Sequence, residues 1–232
     1  MKTKTILAAL LSAVIAVTSL SACANPFKAK EDKDLPGEEI VKKAMNSYNK
    51  QNSGGIEVWD ISNDKLEEKF IYWYDEVGML TYYSEKATDD GVYKEYSTGY
   101  NLYVEEDGVG SLLPKTDERV IFYDKEFSVH GETTDAVFYF SEEGVETAEL
   151  KENEDGSGVI TYVYDAKEAK MGMEEGKLDS FKVEYYYDTN EVITHFVQTA
   201  TGEYENGDEY SVNYRITLIP SEEVGPIDNP IM

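Results

Sequence analysis

The stretch "YSVNYRITL", residues 210–218, decides the class of fold. Tyr210, Val212, Tyr214, Ile216 and Leu218 alternate with Ser211, Asn213, Arg215 and Thr217. A period of two puts the first set on one side of a strand and the second on the other. "FKVEYYYD" (181–188) and "VITHFVQT" (192–199) repeat the pattern less cleanly. From Ile56 onward the chain is rich in Tyr, Val, Phe and Thr, which suit a pleated, half-buried surface.

Turn chemistry separates these runs. "TDDG" (88–91), "EEDG" (105–108), "NEDGSG" (153–158), "DTNE" (188–191) and "ENGD" (205–208) each place Gly, Asn or Asp between apolar segments, which predicts antiparallel hairpins. Two hairpins look alike: "FIYWYDEVGMLTYY" (70–83) and "VEYYYDTNEVITHF" (183–196) both run strand, Tyr-x-Tyr-Asp, turn, strand. Tyr-Asp recurs at 123–124 and 164–165, but the unequal spacings exclude a repeat array.

Upstream of the strands the period changes to that of a helix. In "GEEIVKKAMNSYNK" (37–50), Ile40, Val41, Ala44, Met45 and Tyr48 fall on one face, with Lys42, Lys43 and Asn46 on the other. Glu38 and Glu39 suit its first turn and Lys50 its last, and Asn52, Ser53, Gly54 and Gly55 are expected to end it. A second helical stretch is expected at "AKEAKMGMEEGKL" (166–178), weakened by Gly172 and Gly176, as a short cover over one end of the sheet. One helix of this size is too small to cover a flat sheet of many strands, so the sheet is expected to curl around it. The expected class is α+β, mainly β: a long curved antiparallel sheet, a half-open barrel wrapped around the N-terminal helix.

The N-terminus has a different character. Lys2 and Lys4 precede an uncharged apolar run from Ile6 to Leu20, followed by Ser21, Ala22 and Cys23, which is the layout of a secretory signal. The run is shorter than the roughly 20 residues that a spanning helix needs. Cys23 is the chain's only cysteine, so no disulfide is available to it. "LSAC" (20–23) resembles the lipobox of bacterial lipoproteins. That resemblance implies cleavage between Ala22 and Cys23 and a diacylglycerol on the Cys23 sulfur, an anchor to the cytoplasmic membrane on its extracytoplasmic side, because two acyl chains hold a protein where one holds it marginally. A plain signal site beside a chance cysteine is the alternative. The expected organisation is a signal peptide at 1–22, a charged tether at 23–36 and one domain at 37–232.

Charge narrows the partners. Against 47 acidic side chains the chain has 21 basic ones, a net charge of −26. It lacks the basic footprint that phosphate recognition needs, so no nucleic-acid partner is expected. Acidity of this kind serves solubility, and a monomer is expected.

Catalytic patterns are missing. His130 and His195 stand alone in strand-like runs, and neither a G-x-S-x-G elbow, an H-E-x-x-H pair nor a phosphate loop occurs. "KENEDGSG" (151–158) has the look of a calcium loop, but Lys151 and Tyr162 stand where it needs its end carboxylates. No enzyme activity, metal or cofactor is expected.

The 19 tyrosines are the compositional anomaly. They suit either cross-strand pairs on a solvent face or the wall of a cavity, and Trp59 and Trp73 share the ambiguity. Met171 and Met173 suit a lid or a gap in a core.

The order of leader, acidic tether, helix and long meander is similar to that of the LolA-like lipoprotein-carrier superfamily, including its Gram-positive and mycobacterial surface relatives, over about residues 36–219. That similarity implies a non-catalytic binding fold for a lipid, acyl chain or hydrophobic peptide, with Ile40, Val41, Met45, Tyr48, Trp59, Trp73, Met171, Met173, Phe181 and Phe196 as expected pocket lining. The shuttling carriers are usually neither lipidated nor this acidic, so the expectation is a Gram-positive surface protein rather than a shuttle. The other expectation is a tethered platform for a protein or cell-wall partner, with a fully packed core.

Overall fold

The computed structural model describes residues 35–48, 50–88, 91–98, 100–106, 108–114, 116–117, 140–167 and 176–231. Ala22, Cys23, His130, Met171, Met173 and most of the expected second helix lie outside them. The described ends of that stretch are not helical. Ala166 and Lys167 form a turn, and Lys177 and Leu178 already belong to a strand.

The protein is mainly β. Helix α1 (Glu38–Tyr48) precedes strands β1 (Ser53–Asp60), β2 (Lys65–Tyr74), β3 (Leu80–Ala87), β4 (Val92–Ser97), β5 (Leu102–Glu106), β6 (Val109–Leu112), β7 (Val145–Glu152), β8 (Gly158–Tyr164), β9 (Lys177–Tyr187), β10 (Ile193–Glu203) and β11 (Glu209–Ile219). They form one 11-stranded sheet in the order β6-β5-β4-β3-β2-β1-β11-β10-β9-β8-β7. The chain divides into two compact units. The first holds β1–β6, the end of β11 from Arg215 and the C-terminal tail. The second holds α1 as far as Asn46, β7–β10 and β11 as far as Tyr214.

Helix α1 starts where the carboxylate of Glu38 accepts from the Leu35 amide (3.1 Å), close to the positive end of the helix dipole. Lys42, one turn on, pairs with Glu38 and Glu142 and holds the Glu38 carboxyl below its ordinary value. Within the second unit, the Tyr162 hydroxyl donates to the Pro36 carbonyl (3.1 Å), so the end of the expected tether is docked on the sheet. Val41 and Tyr48 are buried, whereas Ile40, Ala44 and Met45 are half-buried.

The helix stops at Tyr48, so Lys50 falls in the turn beyond it and not in its last turn. Ser53, Gly54 and Gly55 do not terminate the helix; they open β1. A Cβ at Gly55 would lie 2.2 Å from the Phe70 carbonyl oxygen on β2, so glycine there permits close pairing.

Four hairpin loops share one geometry. In each, the first residue's amide donates to the carbonyl four residues on, and the fourth residue's amide donates back: Asp75 with Met79 and Gly78, Asn153 with Ser157 and Gly156, Asp188 with Val192 and Glu191, Tyr204 with Asp208 and Gly207. The fourth residue takes positive φ, at Gly78 (80°), Gly156 (85°), Gly207 (85°) and, alone among non-glycines here, Glu191 (60°). Asp75 and Asp188 use one carboxylate oxygen alike: it accepts from Val77 and Met79 in the first case, Asn190 and Val192 in the second. The Tyr-x-Tyr-Asp likeness is therefore a shared turn chemistry. "NEDGSG" is another of these loops, and Asp155 accepts from the Ser157 amide inside it.

One element carries no strand period. After a short 3-10 turn at Ser221–Glu223, the tail crosses one face of the first unit. Ser53 Oγ donates to the Ser221 carbonyl (3.1 Å) and the Tyr96 hydroxyl to the Ile227 carbonyl (3.0 Å), and Ile231 sits against Gly110.

Candidate functional site

In the second unit the buried face is a lattice of rings and aliphatic groups. Cross-strand rows run Ile160–Tyr185–Phe196, Tyr162–Val183–Gln198 and Tyr164–Phe181–Ala200 over β8, β9 and β10. Ile160, Tyr162, Phe181, Val183, Tyr185 and Phe196 are each 0% exposed. Ring centroids lie 5.2 Å apart for Tyr164–Phe181 and 5.8 Å for Tyr162–Tyr185 and Tyr185–Phe196, within the range of favourable aromatic pairs.

The first unit begins alike and ends differently. Tyr72 pairs with Tyr82 and Phe70 with Ser84 across β2 and β3, and Phe70 stacks on Tyr72 and Tyr82 with centroids 6.1 and 5.8 Å apart. Tyr48 joins this group, 6.3 Å from Tyr72, and its hydroxyl donates to the Gly55 carbonyl (2.9 Å). Burial pushes both phenols well above their usual range.

One pair further along, the apolar face becomes polar. Glu68 pairs with Lys86, and Lys86 with Tyr93; in the next row Ser84 pairs with Glu95, and Glu95 with Val104. The register slips between Val58 and Trp59, leaving Glu67 as the extra residue of a β-bulge beside Glu68. Glu67 is buried and pairs with Lys65 (3.0 Å).

Glu68 is 2% exposed and lies 3.5 Å from Lys86 Nζ, an ion pair without hydrogen-bond geometry. Burial raises its carboxyl above the ordinary value, an effect that Lys86 opposes and Glu95 adds to. Among the described residues, Glu68 Oε1 and Ser84 Oγ find no hydrogen-bond partner, and Ser84 is 3% exposed. Lys86, Tyr93 and Glu95 are half-buried, and the Tyr93 hydroxyl donates to Glu95 Oε1 (2.7 Å). Polar and apolar groups thus alternate within two neighbouring rows, Glu68–Lys86–Tyr93 and Phe70–Ser84–Glu95–Val104.

The opposite face of the first unit holds Trp59 and Trp73. Alternation sets Trp73 against Ser53 and Thr81, away from Tyr72, and Trp59 lies under the Arg215 guanidinium (5.8 Å). These tryptophans therefore do not share a face with Phe70 and Tyr72. A tyrosine row (Ile71–Tyr83–Tyr96–Tyr103) and a ladder of alternating charge (Glu57–Lys69–Glu85–Lys94–Glu105) run beside them. Lys69 meets Glu57 at 3.0 Å and Lys94 meets Glu105 at 2.7 Å. The tyrosines accordingly stand on both faces, packed among other rings on one and paired across strands on the other.

Of the residues singled out from sequence, Phe181 and Phe196 share the second unit's buried face two rows apart, and Val41 and Tyr48 are the most buried points of α1. The polar row was missed. Its signal was parity: Glu68 continues Tyr74, Tyr72 and Phe70, and Ser84 and Lys86 continue Leu80 and Tyr82, all at steps of two.

By fold, the chain is a mainly-β protein built on one antiparallel sheet with a single α-helix among the described residues. It matches no protein-family model and no curated protein. Among solved structures it is similar to LprF from Mycobacterium bovis, with 14% identity and a TM-score of 0.47 over 84% of this chain and 97% of that one.

Proposed function

We propose that this chain is a bacterial lipoprotein, anchored through Cys23 on the outer side of the cytoplasmic membrane, that binds a lipid, acyl chain or other hydrophobic ligand without catalysing a reaction. Its sheet wraps around α1, and the ligand lies against the buried, ring-lined face. The observation that carries this reading is a disproportion: eleven strands with a ring-lined face accompany one α-helix of 11 residues among the described residues. A flat sheet of that width would leave much of its apolar face without cover, whereas a curved one makes a concave apolar site. The anchor rests on the "LSAC" layout and on the sole cysteine at its end.

Two measurements test it. Solvent extraction of the full chain purified from membranes should recover lipid at about one per chain, and clickable palmitate fed to cells should label the wild type but not Cys23→Ala. Protein free of lipid, with no label at Cys23, overturns the reading.

A second reading, a tethered platform for a protein or cell-wall partner, is favoured by the half-buried Trp59, Trp73, Tyr83 and Tyr103 on the opposite face of the first unit. A lipid-free core together with loss of partner capture in Trp59→Ala would select it.

A further inference from the structure

We infer that the opposite face of the first unit, which carries Trp73, Tyr83, Tyr96 and Tyr103, is a docking track for an extended, proline-bearing peptide, and that the C-terminal tail occupies it as an intramolecular stand-in that a partner's peptide displaces. The inference is independent of the lipid-binding reading, which concerns the other face.

The tail is seated across the strands. Ser53 Oγ on β1 donates to the Ser221 carbonyl (3.1 Å), the Tyr96 hydroxyl on β4 donates to the Ile227 carbonyl (3.0 Å), and Ile231 lies against Gly110 on β6. The three anchors share one face, because Ser53 pairs with Trp73, Tyr96 with Tyr83 and Tyr103, and Gly110 with Glu105, two residues from Tyr103. From β1 to β6 is five strand spacings, roughly 24 Å. The ten steps from Ser221 to Ile231 cover that distance only in a mostly extended form.

It is held there as a ligand would be. Pro226 and Pro230 have no amide to give to a strand ladder and favour extended backbone. From Gly225 on, the tail makes no main-chain to main-chain hydrogen bond among the described residues, so it is not a further strand of the sheet. Ile227, Asn229 and Ile231 are half-buried, whereas Pro226, Asp228 and Pro230 are exposed. Aromatic-lined tracks take proline-bearing peptides in this way, since such a peptide is already straight and loses little freedom on binding.

The face is fitted to this guest. Tyr96 is 5% exposed, whereas its row neighbours Tyr83 and Tyr103 are half-buried, so the tail's contact falls on the middle ring and leaves the flanking ones half open. A Cβ at Gly110 would lie 2.5 Å from the Ile231 carbonyl oxygen. Gly110 does not take positive φ, so the approach of the tail, and not a turn, is what a side chain there would obstruct.

The test uses the full chain with its own tail weakened. Ile227→Asp together with Ile231→Asp should lift the tail. A fluorescein-labelled synthetic peptide of residues 221–232, titrated by fluorescence anisotropy, should then bind about 10-fold or more tightly than it binds the unmodified chain, where the tethered tail competes at an effective concentration of about 1 mM. Tyr96→Phe added to that variant should weaken the peptide about 5-fold, and Gly110→Val should abolish its binding. A peptide with alanine in place of both prolines should bind less tightly than the natural one. Circular dichroism and thermal melts verify folding. Equal binding of the peptide to the two chains, or none to either, overturns the inference, as does a gain that survives Gly110→Val. A doubly substituted chain that no longer folds overturns it as well, because the tail would then belong to the core. None of these outcomes bears on the lipid recovered by solvent extraction, so this inference and the lipid-binding reading fail separately.

Discussion

The two units solve the same packing problem with different side chains. In the second, the rows of the buried face set ring against ring or aliphatic group, apart from Gln198 at the end of the Tyr162–Val183 row, and the hydroxyl of Tyr162 finds a partner at Pro36. In the first, the face starts with the same aromatic stacking and then admits Glu68, Ser84 and Lys86 at positions of apolar parity. Burying a carboxylate and an unpaired hydroxyl is unfavourable, so the second unit's face is the one built for stability.

Substitutions can break this contrast. The largest effect is expected in the second unit. Phe196→Ala removes a fully buried ring between Tyr185 and its neighbours and should cost about 3–5 kcal/mol in urea unfolding. On α1, a carboxylate at the 0% exposed Val41 should cost about 3 kcal/mol or more, and Met45→Asp distinctly less because Met45 is half-buried. Equal losses would place Met45 as deep as Val41.

The first unit should respond in the opposite sense. Glu68 has its carboxyl raised above the ordinary 4.5, chiefly by burial. The folded state therefore holds its proton to higher pH than the unfolded chain does. Its contribution to stability declines as pH rises from about 4.5 through the raised value, and the penalty is complete above it. Glu68→Gln should remove that decline, raising the melting temperature at pH 8 while changing it little at pH 4, as read by thermal melts across the range. The smallest effect belongs to the loop pair. Glu191 holds positive φ where Gly78, Gly156 and Gly207 stand in the sister loops, so Glu191→Gly should stabilise by about 1 kcal/mol in the same melts.

Much of this fold was legible because it rests on local chemistry. Alternation set the strands, and Asp and Gly set the loops: "YSVNYRITL" reads as β11 and "DTNE" as the β9–β10 turn. What escaped was decided by distant parts of the chain. Gly54 and Gly55 read as helix-ending residues, yet the approach of the Phe70 carbonyl makes them strand. The C-terminal segment has no period and is held by contacts to Ser53 and Tyr96 far away in sequence. Trp59 and Trp73 could be assigned to a face only once the bulge at Val58/Trp59 and the register with β3 were known. The polar rows stayed hidden among the chain's 47 acidic residues, since nothing in the sequence but their parity with Phe70 and Tyr82 marks Glu68 and Ser84.

Site-resolved photo-crosslinking with an alkyl-diazirine fatty acid, mapped by mass spectrometry, tests the central claim most directly. Adducts are expected at Phe70, Tyr72, Tyr82 and Ser84, and not at their sequence neighbours Ile71, Trp73 and Tyr83. Adducts concentrated on Trp59, Trp73 and Tyr83 would put the ligand on the opposite face and contradict the account.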